Sequence, residues 1–312
     1  MAVISVIVPC FNEESNINAF YTETQRVSGF LPPDTELEYI FVNDGSTDNT
    51  LDVIKALSKT DNRVKYVSFS RNFGKEAAIY AGLKKSSGDF AVIMDADLQD
   101  PPSLLPEMYK AVLEEGYESV ATRRVDRKGE PPIRSFFARL FYKLMNKISD
   151  VELKDGARDY RFMTRKYVNA LLSLSEYNRF SKGIFGWVGF KTKWLEFENV
   201  PRTGGETKWS FWKLFKYSLE GIVAFSYMPL YVSSLLGLIL CAFSFVAIIF
   251  VVIRQLVFGG SAYGWPSLVC IILFIGGLIM LSVGILGFYL SKVYLEVKKR
   301  PVYITDEESA EE

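Results

Sequence analysis

The chain has 312 residues, 49% of them hydrophobic, and its 36 basic residues balance 36 acidic ones, so bulk charge leaves no footprint of a nucleic-acid binder. It contains no histidine, which removes the commonest general base and the commonest zinc ligand and leaves chemistry to carboxylates, lysine, arginine or a bound metal. Its three cysteines, Cys10, Cys241 and Cys270, are odd in number and lie in apolar runs, which argues against a disulfide framework or a thiolate metal site.

The first stretch, Ala2 to Pro9, lacks the basic start of a signal peptide and reads as a buried strand. Helix-start residues at Asn12 to Asn16 precede a polar helix running to about Ser28. A strand over Leu37–Asn43 ends in the turn Asp44-Gly45-Ser46, followed by a helix over Leu51–Ser58. A short strand, Val64–Ser68, leads through Arg71-Asn72-Phe73-Gly74-Lys75 into a helix over Glu76–Lys85. The apolar run Phe90–Met94 then delivers Asp95-Ala96-Asp97-Leu98-Gln99-Asp100, Pro101-Pro102 opens a helix to Glu115, and a strand over Ser119–Thr122 follows.

Strand, turn and helix alternating at this pitch predict an α/β fold with a mostly parallel sheet covered on both faces, whose ligands bind beyond the carboxyl ends of the strands. The polar clusters fall at those ends: Asn12-Glu13, Asp44-Gly45-Ser46, Arg71-Asn72, and Asp95 with Asp97. Residues i and i+2 of an extended chain point to one side, so Asp95 and Asp97 are able to face one ligand. Two such carboxylates repel unless a cation sits between them, and hard oxygen ligands favour magnesium or manganese completed by substrate phosphates. On spacing alone, solvated acids capping the next helix fit as well; four converging polar loops favour a pocket.

From Pro132 the character shifts. Phe136, Phe137, Leu140, Phe141, Leu144, Met145 and Ile148 fall on one helical face, with Arg139, Lys143 and Lys147 opposite. A helix lying in a membrane interface fits this pattern, and so does one packed on the sheet. The segment Lys208–Tyr217, aromatic and basic, favours the interface. Leu230–Ile253 and Pro266–Leu290 carry no charge, and at about 1.5 Å per residue each covers the roughly 30 Å hydrocarbon core, predicting two transmembrane helices. Lys208, Lys213 and Lys216 before them and Lys292, Lys298, Lys299 and Arg300 after them predict that both termini, and with them the α/β region, face the cytoplasm. The acidic tail Asp306–Glu312 reads as a disordered, solvated terminus. The expected organisation is an α/β core over 1–131, a region of amphipathic segments over 132–228, a hairpin over 229–291 with spans at about 229–253 and 266–290, and a tail over 292–312.

Six stretches carry a resemblance: Ser5–Glu14, Val42–Asp48, Ser70–Lys75, Met94–Pro102, Arg158–Met163 and Arg202–Lys208. Together they resemble the family-2 glycosyltransferases of GT-A fold, specifically the polyprenyl-phosphate sugar transferases similar to dolichol-phosphate mannose synthase and bacterial bactoprenol glucosyltransferases. The resemblance implies a nucleoside pocket at Pro9, Phe11, Glu13, Val42 and Asp44, with Lys75 in the adjoining loop. It implies a Mg2+ or Mn2+ site at Asp95, Asp97 and Gln99, with Ala96 touching the nucleotide. Arg123, Arg202 and Lys208 match basic groups that grip donor and acceptor phosphates, and Arg161 joins Arg202 and Lys208 on the acceptor phosphate. Asp159 takes the position of a catalytic base or acceptor-orienting carboxylate; with Asp97, Arg202 and Lys208 it forms the expected catalytic set. Arg158 departs from the small residue that many relatives have before this aspartate.

The implied reaction is inverting transfer of glucose from UDP-glucose to a polyprenyl phosphate such as undecaprenyl phosphate, for cell-envelope glycosylation. UDP-N-acetylglucosamine or GDP-mannose as donor, and a noncatalytic nucleotide-sugar-binding scaffold, are the alternatives. A lipid phosphate with a second pKa near 6 is largely ionised at neutral pH and hardly needs a base, which suits a chain without histidine and gives Asp159 a positioning role. Implied partners are the nucleotide sugar, the lipid and the membrane, with a second copy of the chain, a lipid flippase and a downstream glycosyltransferase beyond them.

Overall fold

Runs of Val, Ile, Phe and Tyr build the strands of the first half, as expected where both faces of a parallel sheet are covered. The computed structural model describes residues 1–125, 143, 145–149, 154–174, 176–197, 222–223, 225–258 and 264–309. Strands β1 (Ala2–Cys10), β2 (Thr35–Asn43), β3 (Val64–Phe69) and β4 (Phe90–Ile93) pair in parallel in the order β4-β1-β2-β3. Helices α1 (Ile17–Ser28), α2 (Thr50–Thr60) and α4 (Leu105–Glu115) cover one face, where Phe20, Ile54 and Met108 join Ile4, Val6 and Val8 in one fully buried cluster. Helix α3 (Lys75–Lys85) covers the other, packing Ala77, Ala78 and Ala81 against Ile40 and Val42. It lies so close that a Cβ on Gly82 would fall 2.3 Å from Ile7 Cγ2, which is why this helix carries a glycine in its middle.

The sheet does not stop at five strands. Strands β5 (Ser119–Arg124), β6 (Ala157–Thr164) and β7 (Thr192–Phe197) extend it, with α5 (Arg165–Ser173) and α6 (Ser181–Trp187) between β6 and β7. With β8 (Thr305–Glu308), the full order is β7-β5-β6-β4-β1-β2-β3-β8, in which β6 inserts antiparallel between β4 and β5 while β7 runs parallel to β5. The stretch Arg158–Met163, whose alternating charges suit a surface loop, is therefore an interior strand. Tyr160 and Phe162 on it are fully buried.

One expectation is overturned. Strand β8 (Thr305–Glu308) takes in the start of the acidic tail and pairs antiparallel with the edge strand β3, so residues 306–308 form an ordered strand and not the disordered, solvated chain expected of them. Its acids meet bases already on the domain: Lys55 lies 2.5 Å from Glu307 and Lys85 3.2 Å from Glu308. Ser309 donates its N–H to the Tyr66 carbonyl, and the Tyr303 ring stacks on Phe69 at 4.7 Å. An open strand edge attracts pairing, and this chain covers its own.

The chain divides into two compact units, Met1–Ala224 with Arg300–Glu312, and Phe225–Lys299. The second holds α7 (Met228–Phe258) and α8 (Trp265–Val297), both long and apolar enough to cross a membrane, with windows of mean hydropathy 2.2 and 2.0. Within it the Tyr289 hydroxyl donates to the Ser226 carbonyl at 2.5 Å.

Candidate active site

Strand register places the acids. On the antiparallel pair β4 and β6, Ile93 lies opposite Arg161, and the same register carried two residues further sets Asp95 opposite Asp159. Lys75 joins them: its Nζ is 2.7 Å from Asp95 Oδ1 and 2.6 Å from Asp159 Oδ2. This lysine is the first residue of α3, and the loop before it is held by Asp44 at the end of β2. Asp44 Oδ1 accepts the Phe73 N–H at 2.6 Å and the Gly74 N–H at 3.1 Å. Gly45, at φ 62°, lets the two loops interlock, since a Cβ there would sit 2.3 Å from the Arg71 carbonyl carbon.

Charge explains the state of this cluster. Burial opposes the charge on Lys75, but the carboxylates of Asp159 and Asp95 outweigh it and raise the ammonium's pKa well above its ordinary value. Burial likewise opposes ionisation of Asp159, yet Lys75, then Lys182 and Arg158, hold its carboxyl well below the usual range. Asp159 is thus an anion at neutral pH and a weak base. Arg158 ties the acidic loop to β6: its Nε donates to Asp100 Oδ1 at 2.7 Å, and its other end lies 3.9 Å from Asp95 Oδ2. The Asp100 side chain is 1% exposed.

Asp97 Oδ1 accepts the Gln99 N–H at 3.2 Å, and Leu98 between them adopts the left-handed conformation at φ 55°, a strain of about 1 kcal/mol or more for a residue with a Cβ. Gln99 Oε1 accepts from Arg124 at 3.2 Å. Asp95 and Asp97 could supply the one or two carboxylates that a hard divalent cation takes from protein when substrate phosphates complete its shell. Among the described residues no group of three His, Cys, Asp or Glu side chains is gathered to hold an ion. Two hard carboxylate oxygens are a donor set that fits a divalent cation such as Mg2+ or Mn2+ arriving with a diphosphate.

The other expected residues are distributed around this centre. Pro9 lies near the end of β1, Phe11 just past it is 37% exposed, and Val42 and Ala96 are buried. Glu13 is fixed at both ends, its N–H donating to Thr50 Oγ1 at 2.8 Å and its carboxylate accepting from Asn16 at 2.6 Å. Arg123 pairs with Glu196 on β7. Arg161 is buried and donates to Ser119 and Tyr167, whereas the bridging partner of Asp159 is Lys75. Arg202, Lys208 and the segment 208–217 lie outside the described residues; of the expected helix over 132–148, only 143 and 145–148 are described, and these are helical.

Residues not singled out in the sequence complete the cluster. Asp100 stood in the acidic stretch, so the signal was there. Glu76 accepts the N–H and the hydroxyl of Ser181, a residue 105 positions away, and Lys182 follows Ser181; no local pattern announces such a pairing.

The sequence matches the model of "Glycosyl transferase family 2" over residues 5–172. It is 44% identical over 305 residues to the CsbB protein of Bacillus subtilis, itself named as a glycosyltransferase, covering 98% of this chain and 92% of that one. It is 41% identical over 301 residues to the SfII prophage-derived bactoprenol glucosyl transferase of Shigella flexneri, covering 96% of each. Among solved structures it matches glucosyl-3-phosphoglycerate synthase from Mycobacterium tuberculosis, at 20% identity and a TM-score of 0.47 over 71% of this chain and 78% of that one. This chain belongs to glycosyl transferase family 2, and its mixed, mostly parallel sheet is the GT-A fold.

Proposed function

We propose that this glycosyltransferase moves glucose from UDP-glucose onto a membrane-held polyprenyl phosphate with inversion at the anomeric carbon. The observation that carries the reading is the Lys75 bridge: one ammonium spans Asp95 on the acidic loop, where the donor diphosphate belongs, and Asp159 on β6, on the acceptor side. A bactoprenol glucosyl transferase aligned with 96% of the chain supports glucose and a polyprenyl phosphate. The apolar helices α7 and α8 support an acceptor held in a bilayer, and Lys292, Lys298, Lys299 and Arg300 after them support a cytoplasmic catalytic face.

The acceptor phosphate, with a second pKa near 6, is largely dianionic at neutral pH. Its oxygen attacks C1 of the glucosyl group while the bond from C1 to the diphosphate breaks, and the electron pair leaves on UDP. An α-linked donor thereby gives a β-linked lipid phosphate. Asp159, ionised and fixed by Lys75, orients the acceptor and takes no proton. Asp95 and Asp97 would hold Mg2+ or Mn2+ together with the diphosphate, and the ion would supply charge stabilisation to the leaving group. Arg123, Arg202 and Lys208 complete the grip on the phosphates in this reading, and a lipid flippase with a downstream glycosyltransferase would consume the product.

The test is incubation of the purified full-length protein with UDP-glucose, undecaprenyl phosphate and Mn2+, followed by mass measurement of the lipid, with UDP-N-acetylglucosamine and GDP-mannose in parallel arms. A hexose added to the lipid, lost in chelator and restored by Mn2+ or Mg2+, supports the reading. Transfer from another donor alone overturns the sugar, and the absence of lipid product in every arm overturns the acceptor.

A further inference from the structure

Helix α6 begins without a cap of its own. Phe180 stands at the position before it, where Ser, Thr, Asp or Asn would accept a first-turn N–H, and it has no side-chain oxygen to offer. The acceptor comes from α3, 105 positions earlier in the chain: Glu76 Oε2 takes the Ser181 N–H at 2.9 Å and the Ser181 hydroxyl as well. Four residues on, along the same face of α3, the Arg179 guanidinium lies 4.4 Å from the centre of the Tyr80 ring. Two contacts therefore dock the start of α6 on α3, with Ser181 buried at the join.

The chain neighbours of the two bonded residues are lysines that act on one carboxylate. Lys75, before Glu76, bridges Asp95 and Asp159. Lys182, after Ser181, comes next to Lys75 among the charges that hold the Asp159 carboxyl down. It also lines the same cavity as Arg158, the residue before Asp159, and α6 packs on β6, the strand that carries both. Adjacent Cα atoms are fixed about 3.8 Å apart, so a bond between Glu76 and Ser181 sets the spacing of the two lysines that flank Asp159.

We propose that Glu76 is a positioning residue of the transfer reaction: through Ser181 it holds Lys182 toward Asp159 while Lys75 holds the same carboxylate from α3, so that Asp159 presents one fixed geometry to the acceptor. The proposal rests on the reading of Asp159 as the acceptor-orienting group given above. Glu76 acts through other side chains and touches no reacting atom. A mere cap for α6 would cost stability when lost, whether or not Lys182 were present.

The test is a double-mutant cycle on full-length protein, Glu76→Ala against Lys182→Met, read as kcat for transfer to undecaprenyl phosphate with Kd for UDP measured beside it. Each single variant is expected to lose about tenfold or more in kcat, and the double variant no more than the worse single, because the second change breaks a link whose end is already gone. Glu76→Gln keeps an accepting oxygen in the same place and should restore most of the loss, with Kd for UDP unchanged throughout. Losses that multiply to about 100-fold in the double variant make Glu76 a structural cap alone and overturn the proposal. Where Glu76→Ala does not fold, Ser181→Ala, which removes only the hydroxyl, takes its place in the cycle with the same expectation.

A second readout needs no turnover: the rate at which an amine-reactive ester acylates Lys182, followed by mass spectrometry of its peptide. A lysine held by a carboxylate reacts slowly because only the neutral amine attacks, so Glu76→Ala should speed the reaction several-fold and Glu76→Gln should not. An unchanged rate in Glu76→Ala overturns the link to Lys182. A faster rate in a protein whose wild type makes no glycolipid upholds the link and overturns the acceptor reading.

Discussion

Asp95 and Asp159 face each other across a single ammonium, the Lys75 Nζ that lies 2.7 Å from one and 2.6 Å from the other. The relationship joins the two halves of the sheet. Asp95 follows β4, which pairs in parallel with β1, and Asp159 belongs to the antiparallel strand β6 inserted beside it.

Removing that ammonium exposes two carboxylates to each other. Lys75→Met is expected to lower kcat by about 100-fold, the scale of losing one preorganised electrostatic group in an active site. Steady-state kinetics with saturating donor checks this, and a kcat within a factor of a few of wild type would contradict the bridge as a catalytic element.

Because Lys75, Lys182 and Arg158 hold the Asp159 carboxyl well below its ordinary range, Asp159 does not titrate near neutrality. The acid limb of the rate profile is expected near pH 6 and belongs to the acceptor phosphate, whose protonation weakens the nucleophile. Asp159→Asn should reduce the plateau and leave the position of that limb unmoved. A limb that vanishes in this variant would make Asp159 the titrating base.

Glu76 behaves in the opposite sense. Burial, with the nearby charge of Asp159, pushes its carboxyl up from 4.5 to about 7. A folded-state pKa raised above the unfolded value contributes stability that is fully present below about 4.5 and is lost as pH rises through about 7. Thermal unfolding measured from pH 4.5 to 8 at fixed salt should show Tm falling with pH, and Glu76→Gln should flatten that slope. Parallel slopes in the two proteins would remove Glu76 from the account.

The C-terminal strand is expected to stabilise the catalytic unit. Tyr303→Ala removes a ring stacked at 4.7 Å on Phe69 and packed beside Tyr80, and should cost about 1–3 kcal/mol. For a domain of this size that is a fall in Tm of roughly 2–4 °C per kcal/mol. Hydrogen exchange at the β3 amides should accelerate in the same variant, because the edge they lie on opens more often; unchanged protection there would mean the strand contributes no stability.

Much of the site was legible because its signals are local. Turn chemistry at Asp44-Gly45, the apolar run into Asp95, and the spacing of Asp95 and Asp97 each lie within a few residues, and local sequence governs turns and buried strands. The charge-free runs that became α7 and α8 are legible for the same reason. What only the tertiary structure decided is which distant residues meet. That β6 enters antiparallel beside β4 and sets Asp159 opposite Asp95, that Arg161 is buried among rings, and that Glu76 reaches Ser181 all depend on pairings across tens of residues or more, which no short window encodes. The acidic tail makes the point most plainly: by itself it reads as solvated chain, and it becomes a strand because β3 offers it an open edge and Lys55 and Lys85 offer it charge.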